Sequence, residues 1–138
     1  MKLQPFIAVD GVPFRTSGAE LVVRLGVPAA TRRNPVALTE LDYGDVVFRF
    51  QDATDRLEEV TRRAPVLYLQ LDGGVADVPF AGLADFVRAH DAGAFERAGF
   101  LVSPRLGLAF VPAEPDWVTA LAAHCIGTWR DLGGAPAP

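Results

Sequence analysis

Leu38-Thr39-Glu40-Leu41-Asp42-Tyr43-Gly44-Asp45-Val46-Val47-Phe48-Arg49-Phe50 holds two extended runs around a two-residue break. Successive side chains of a strand alternate between faces, so Leu41 and Tyr43 share one side of the first run. Val46, Phe48 and Phe50 share a side of the second, with Val47 and Arg49 opposite. Between the runs, Gly44-Asp45 places glycine first, which suits a type II′ hairpin. A connection this short forces the two strands to be antiparallel, and that decides the fold class.

Working toward the C-terminus, residues 51 to 56 form a polar turn and Leu57 to Thr61 alternate well enough for a third strand. Val66 to Leu71 is the most apolar run and reads as a central or long strand, with Pro65 at its start. Residues 72 to 77 read as a loop. Pro79 opens a helix that puts Phe80, Leu83, Ala84 and Val87 on one face. Asp91 is placed to cap a further short helix through Phe95, ending at Gly99. Phe100 to Val102 and Leu108 to Val111 flank a five-residue hairpin connection. Trp117, Val118, Leu121, Ala122, Cys125, Ile126 and Trp129 recur at steps of one, three and four, which predicts the longest helix over residues 116 to 131.

Working toward the N-terminus, Ser17 and Glu20 have capping-box spacing in front of Leu21, Val22 and Leu25. Gly26 suits the left-handed position that ends such a helix, and Pro28 prevents its resumption. Residues 3 to 9 read as an edge strand and residues 10 to 13 as a turn. The expected architecture is α+β, an antiparallel meander of five to seven strands with three or four helices packed on it. One domain is expected over residues 1 to 132, with 133 to 138 a flexible tail. A faint echo joins Gly11-Val12-Pro13-Phe14 to Asp77-Val78-Pro79-Phe80, since each precedes a helix and then strands.

Composition narrows the function. Hydrophobic residues make up 50% of the 138 and charged residues 22%, a globular balance. Thirteen Lys and Arg stand against seventeen Asp and Glu, for a formal charge of −4. The arginine pairs at 32–33 and 62–63 have acidic neighbours and form no stripe, so nucleic acid is not the expected partner. Cys125 is alone, which excludes a disulfide framework. No apolar run of signal-peptide length precedes Asp10 and none is long enough to span a bilayer, so the expectation is a cytoplasmic protein away from membranes.

Chemistry-bearing motifs are sparse. Neither a glycine-rich phosphate cradle nor a Gly-x-Ser-x-Gly elbow occurs. Ser17 and Ser103 have structural work in a cap and a turn. His124 and Cys125 are adjacent, and on a helix their side chains would diverge by about 100°. They are therefore not expected to share a tetrahedral ion, and Cys125 reads as a small buried hydrophobe. His90 reads as ending one helix and Asp91 as starting the next. No cofactor, metal or catalytic residue is expected. What remains is a set of carboxylates and aromatics: Asp42, Asp45, Glu58 and Glu59 as an acidic patch on neighbouring strands, Tyr43 among them, and Trp117 at a helix start, partly exposed.

The stretch Phe14-x-Thr16-Ser17-x-x-Glu20-Leu21-x-x-x-Leu25-Gly26-x-Pro28, followed by Leu41-Asp42-Tyr43-Gly44 and Phe48-x-Phe50, resembles a recurring small bacterial module. It is similar to the helix-plus-sheet units of the outer-membrane assembly lipoprotein BamE and of the β-lactamase inhibitor protein. It is similar also to stand-alone immunity proteins encoded beside secreted toxins. The resemblance covers about residues 11 to 61. A BamE-type lipoprotein would carry a lipid-bearing cysteine near its N-terminus, and the β-lactamase inhibitor is disulfide-bonded, so an intracellular immunity-type protein fits the single Cys125 better. The resemblance implies a non-catalytic protein-binding domain whose partner is another protein, such as a basic toxin domain steered to the acidic patch. The alternatives are a small-ligand binder with a pocket between sheet and helix near Trp117, or a structural adaptor.

Overall fold

The computed structural model describes residues 1–134, with side chains described through residue 131. In chain order its elements are β1 (Lys2–Gln4), β2 (Ala8–Val9), β3 (Val12–Pro13), α1 (Gly18–Leu25), β4 (Ala30–Arg33), β5 (Leu38–Asp42), β6 (Val46–Gln51) and β7 (Leu57–Arg63). There follow β8 (Val66–Leu71), β9 (Gly74–Pro79), a single 3₁₀ turn (Phe80–Gly82), α2 (Leu83–His90), β10 (Phe95–Arg97), β11 (Phe100–Ser103), β12 (Leu108–Phe110), β13 (Trp117–Leu121) and α3 (Cys125–Gly134). The fold is α+β. The strands form an eight-stranded antiparallel sheet in the order β10-β11-β12-β13-β7-β6-β5-β4 and a five-stranded mixed sheet in the order β3-β2-β1-β8-β9.

The capping and hairpin rules hold, while the edge strand expected over residues 3 to 9 is instead β1 and β2, with β1 inside the five-stranded sheet and β3 within the expected turn. Ser17 Oγ accepts from the Glu20 N–H while Glu20 reaches back to the Ser17 N–H, closing the capping box. Gly26 ends α1 at φ 86°, a conformation that would strain a residue with a Cβ. Gly44 takes φ 95° in the two-residue turn between β5 and β6, while Asp45 stays at negative φ, as a type II′ turn requires.

Five further expectations are corrected. The main sheet has eight strands rather than five to seven, because β4 and β10 add a short edge at either side and β13 joins its middle. Residues 117 to 121 are a strand and the last helix begins only at Cys125. Val118 and Ala120 face one side and Thr119 and Leu121 the other, and all four are buried. A strand buried on both faces reads as an unbroken apolar run, which periodicity cannot tell from a helix. Residues 72 to 77 are not a loop: Leu71 pairs with Gly74 across a two-residue turn, and β9 is an edge strand. Asp91 starts no helix. It closes α2, and β10 occupies the segment expected to be helical. Of the expected tail, residues 133 and 134 belong to α3, and 135 to 138 lie outside the described residues.

The echo between residues 11–14 and 77–80 is geometric. Val12 and Val78, Phe14 and Phe80, and Leu21 and Val87 are each 66 residues apart and all are buried. The parallel pairing of β1 with β8 sets Leu3 against Leu69 at the same separation. In the large sheet β4–β7 and β13–β10 run outward from the centre in mirrored order, and the central strands pair Val60 with Ala120. The order of a helix followed by a four-stranded meander is thus repeated in the two parts of the chain. Pairing β7 with β13 also hides the edge that each four-stranded meander would otherwise expose. The inner face of the large sheet (Leu41, Phe48, Phe50, Val60, Leu108, Phe110, Val118) packs in one cluster with Leu3, Leu69, Leu21, Leu83 and Val87.

Candidate functional site

Two regions stand out, and both lie where the halves differ. The first is the outer face of β4–β7, turned away from the main core. Arg49 Nε donates to Glu40 Oε2 at 3.0 Å and Arg49 Nη1 to Thr61 Oγ1 at 2.7 Å, with Glu59 Oε1 3.7 Å away. Arg32 joins from β4, 2.6 Å from Asp42 and 3.4 Å from Glu40. Thr61 and Thr119 share a hydrogen bond across the β7–β13 seam. The result is a ladder, Asp42–Arg32–Glu40–Arg49–Glu59, whose charges alternate across four strands.

Those contacts set the protonation of the ladder. Burial alone would raise the Glu40 carboxyl, and the hydrogen bond and charge of Arg49 outweigh it to leave the value lowered. Asp42 is lowered by its bond to Arg32 and by the Gly44 N–H. Glu59 goes the other way: burial pushes it up, and Arg49 and Trp129 Nε1, which donates to it at 3.2 Å, offset this only in part. At the rim Arg63 stacks over the Trp117 ring at 4.7 Å. Trp117, Trp129, Phe100, Arg49 and Glu59 surround a cavity of about 220 Å³, below the usual size of a small-ligand pocket.

The second region is a bulge in β7. Arg49 pairs with Glu59 and Phe50 with Leu57, so Glu58 is an extra residue with no partner across the ladder. Such a residue is re-aimed by the local kink. The Glu58 side chain, 9% exposed, turns toward the segment between β13 and α3. There His124 Nε2 contacts its Oε2, and Cys125 Sγ lies 3.0 Å from the same oxygen. The Glu58 carbonyl holds that segment in place by accepting from the Ala122 N–H at 2.9 Å. Burial pushes the Cys125 thiol far up, reinforced by its hydrogen bond to Glu58. Desolvation lowers His124, against the opposing pull of the Glu58 charge.

The six residues singled out from sequence therefore do not share one surface. Asp42, Glu59 and Trp117 belong to the outer face. Asp45 stands at the tip of the β5–β6 hairpin, 4.0 Å from Arg62. Tyr43 points the other way, edge-on to Phe48, with its hydroxyl donating to the Gly26 carbonyl at 2.9 Å. Glu58 is buried in the bulge. With Arg32 and Arg49 interleaved, the outer face is mixed in charge rather than acidic. Sequence reading missed the Glu58–His124–Cys125 cluster because it placed the last two on one helix. His124 lies in the turn before α3, so the pair can converge. One signal was present: of two adjacent acids in a strand, one must face inward, and a buried carboxylate needs partners. His90 stacks on Phe86 at the end of α2 and is outside the cluster.

Comparison with family models, with curated proteins and with solved structures finds no match to this chain. Among the described residues no helix is long and apolar enough to cross a membrane.

Proposed function

We propose that this chain is a non-catalytic protein-binding domain of the immunity type, acting in the cytoplasm and engaging its partner through the outer face of β4–β7 with Trp117 at the rim. One observation carries the reading. The same sheet has an outer face in each half; α3 covers that of the second and leaves that of the first open. Where β11 and β12 set Val102 opposite Ala109 beneath that helix, β5 and β6 set Glu40 opposite Arg49. A preformed polar lattice costs little ordering entropy on binding, and an aromatic at its rim is the usual anchor of such surfaces. The mixed charge favours a partner surface carrying both signs over a uniformly basic one. The helix-then-meander order behind the resemblance to immunity proteins occurs in both halves.

The experiment is affinity recovery of the partner from the native cell, followed by binding kinetics with variants on opposite surfaces. Trp117→Ala and Arg49→Glu should each weaken the complex at least about tenfold, as anchors and buried-edge charges do. Val27→Asp, at an 86% exposed position beyond α1, should leave it unchanged. Loss of binding with Val27→Asp and none with the other two would place the interface elsewhere.

A further inference from the structure

We propose that Glu58, His124 and Cys125 bind one divalent cation of the zinc class. The inference stands apart from the protein-binding reading, since it uses the bulge and the β13–α3 turn rather than the outer face. Three donors of different kinds meet there: a carboxylate oxygen from β7, an imidazole nitrogen from the turn and a thiol sulfur from the first residue of α3. Their ligand atoms all lie within 4.8 Å of one another. In a tetrahedral zinc site, ligand atoms stand about 3.4–3.6 Å apart, so small rotations of the three side chains bring the donors to that spacing around one ion. An S, N, O set is borderline in softness, which suits zinc and disfavours magnesium or calcium.

A purely structural account explains the cluster less well. A buried carboxylate is stabilised when its two oxygens share out the donors around it. Here both proton-bearing partners crowd onto Oε2, while Oε1 has only Arg56 Nη2, 3.9 Å away and beyond hydrogen-bond reach. One cation at the point of convergence engages all three groups together and neutralises the carboxylate. Binding balances simply: the ion replaces the thiol proton, which leaves to solvent, and His124 carries its remaining ring proton on Nδ1. Arg56 opposes the ion's charge, with Glu59 nearby on the other side of the balance. The equivalent position in the second half has no bulge, no acid and no such cluster among the described residues. A cavity of about 330 Å³, lined by Leu38, Gln51 and Thr128, opens beside the site. A fourth position is thus left for water or for a donor from a bound molecule.

Cobalt(II) titration of the chelator-stripped full chain tests this, because a thiolate ligand adds a near-ultraviolet charge-transfer band that oxygen and nitrogen ligands lack. The expected result is one cobalt per chain with that band, displaced by zinc, and a higher Tm with zinc present. Cys125→Ala should abolish the band. His124→Ala, in a partly exposed turn where folding is least at risk, should weaken binding more than about tenfold, as should Glu58→Gln. His90→Ala should bind like the unaltered chain. Absence of the charge-transfer band in the unaltered chain overturns the proposal, and so does cobalt binding that survives His124→Ala undiminished.

Discussion

Residues 1–63 and 66–121 repeat one element order, strands then a helix then a four-stranded meander, and they treat the outer face of their sheet in opposite ways. In the first half that face is a ladder of ion pairs, half-buried at Glu40, Arg49 and Glu59 and more exposed at Arg32. In the second it is Val102, Ala109 and Leu121 beneath Ile126 and Trp129 of α3. The inner face is apolar in both, so the shared part of the design is what folding needs. What differs is available for function. On the proposed reading, covering one outer face with α3 and leaving the other charged keeps one surface for another molecule.

Matched substitutions can break that comparison. Leu121 and Thr61 both stand on the outer face of the large sheet, one in each half. Leu121→Ala should cost about 2–5 kcal/mol in denaturant unfolding, as a fully buried leucine does. Thr61→Ala, which removes hydrogen bonds to Arg49 and Thr119, should cost about 1 kcal/mol. Equal losses would mean that the outer face of the first half is as much interior as that of the second.

The ties between helix end and hairpin give a second matched pair. In the second half the buried carboxylate of Asp91 accepts from Ser103 Oγ at 2.7 Å, the Gly93 N–H at 2.8 Å and the Arg105 N–H at 3.0 Å. In the first half a single bond, Tyr43 hydroxyl to the Gly26 carbonyl, does the same work. Asp91→Asn should cost about 1–3 kcal/mol and Tyr43→Phe about 0.5–1.5 kcal/mol. Burial would raise the Asp91 carboxyl, but its three donors prevail and the value is lowered. A lowered carboxyl stabilises the fold fully above its unfolded value, near pH 4, and loses that contribution as pH falls through the folded value. Unfolding curves from pH 7 downward should therefore show a smaller acid-side loss for Asp91→Asn than for the unaltered chain.

Legibility in the sequence followed how local the governing forces are. The capping box at Ser17, the stop at Gly26 and the Gly44-Asp45 turn depend on a few neighbouring residues, and each was readable. The helical reading of residues 116 to 121 failed because β13 is covered on both faces, by α3 on one side and by the main core on the other. The same error hid the Glu58 cluster, which is assembled across 66 residues of chain by a bulge that no motif announces. Asp91 was misread for a related reason: its partners Ser103 and Arg105 belong to a hairpin that only tertiary packing brings to it. The patch of Asp42 and Glu59 looked acidic because arginines 32 and 49, which pair with them, sit on strands whose register the sequence does not show.

The smallest effect belongs to the rim of the ladder. Arg32 is half exposed, and an exposed ion pair contributes little, so Arg32→Ala should change stability by less than about 1 kcal/mol, with high salt reducing the difference further. A larger loss would show the ladder to be a folding element rather than a surface held ready for another molecule.

Hydrogen exchange of the full chain with and without its recovered partner tests the central claim most directly. The account predicts new protection over β4–β7 and at Trp117, with residues 125 to 131 and the α1 end near Val27 unchanged. Protection confined to α1, or to the turns at residues 70–73 and 104–106, with β4–β7 exchanging as before, would contradict it.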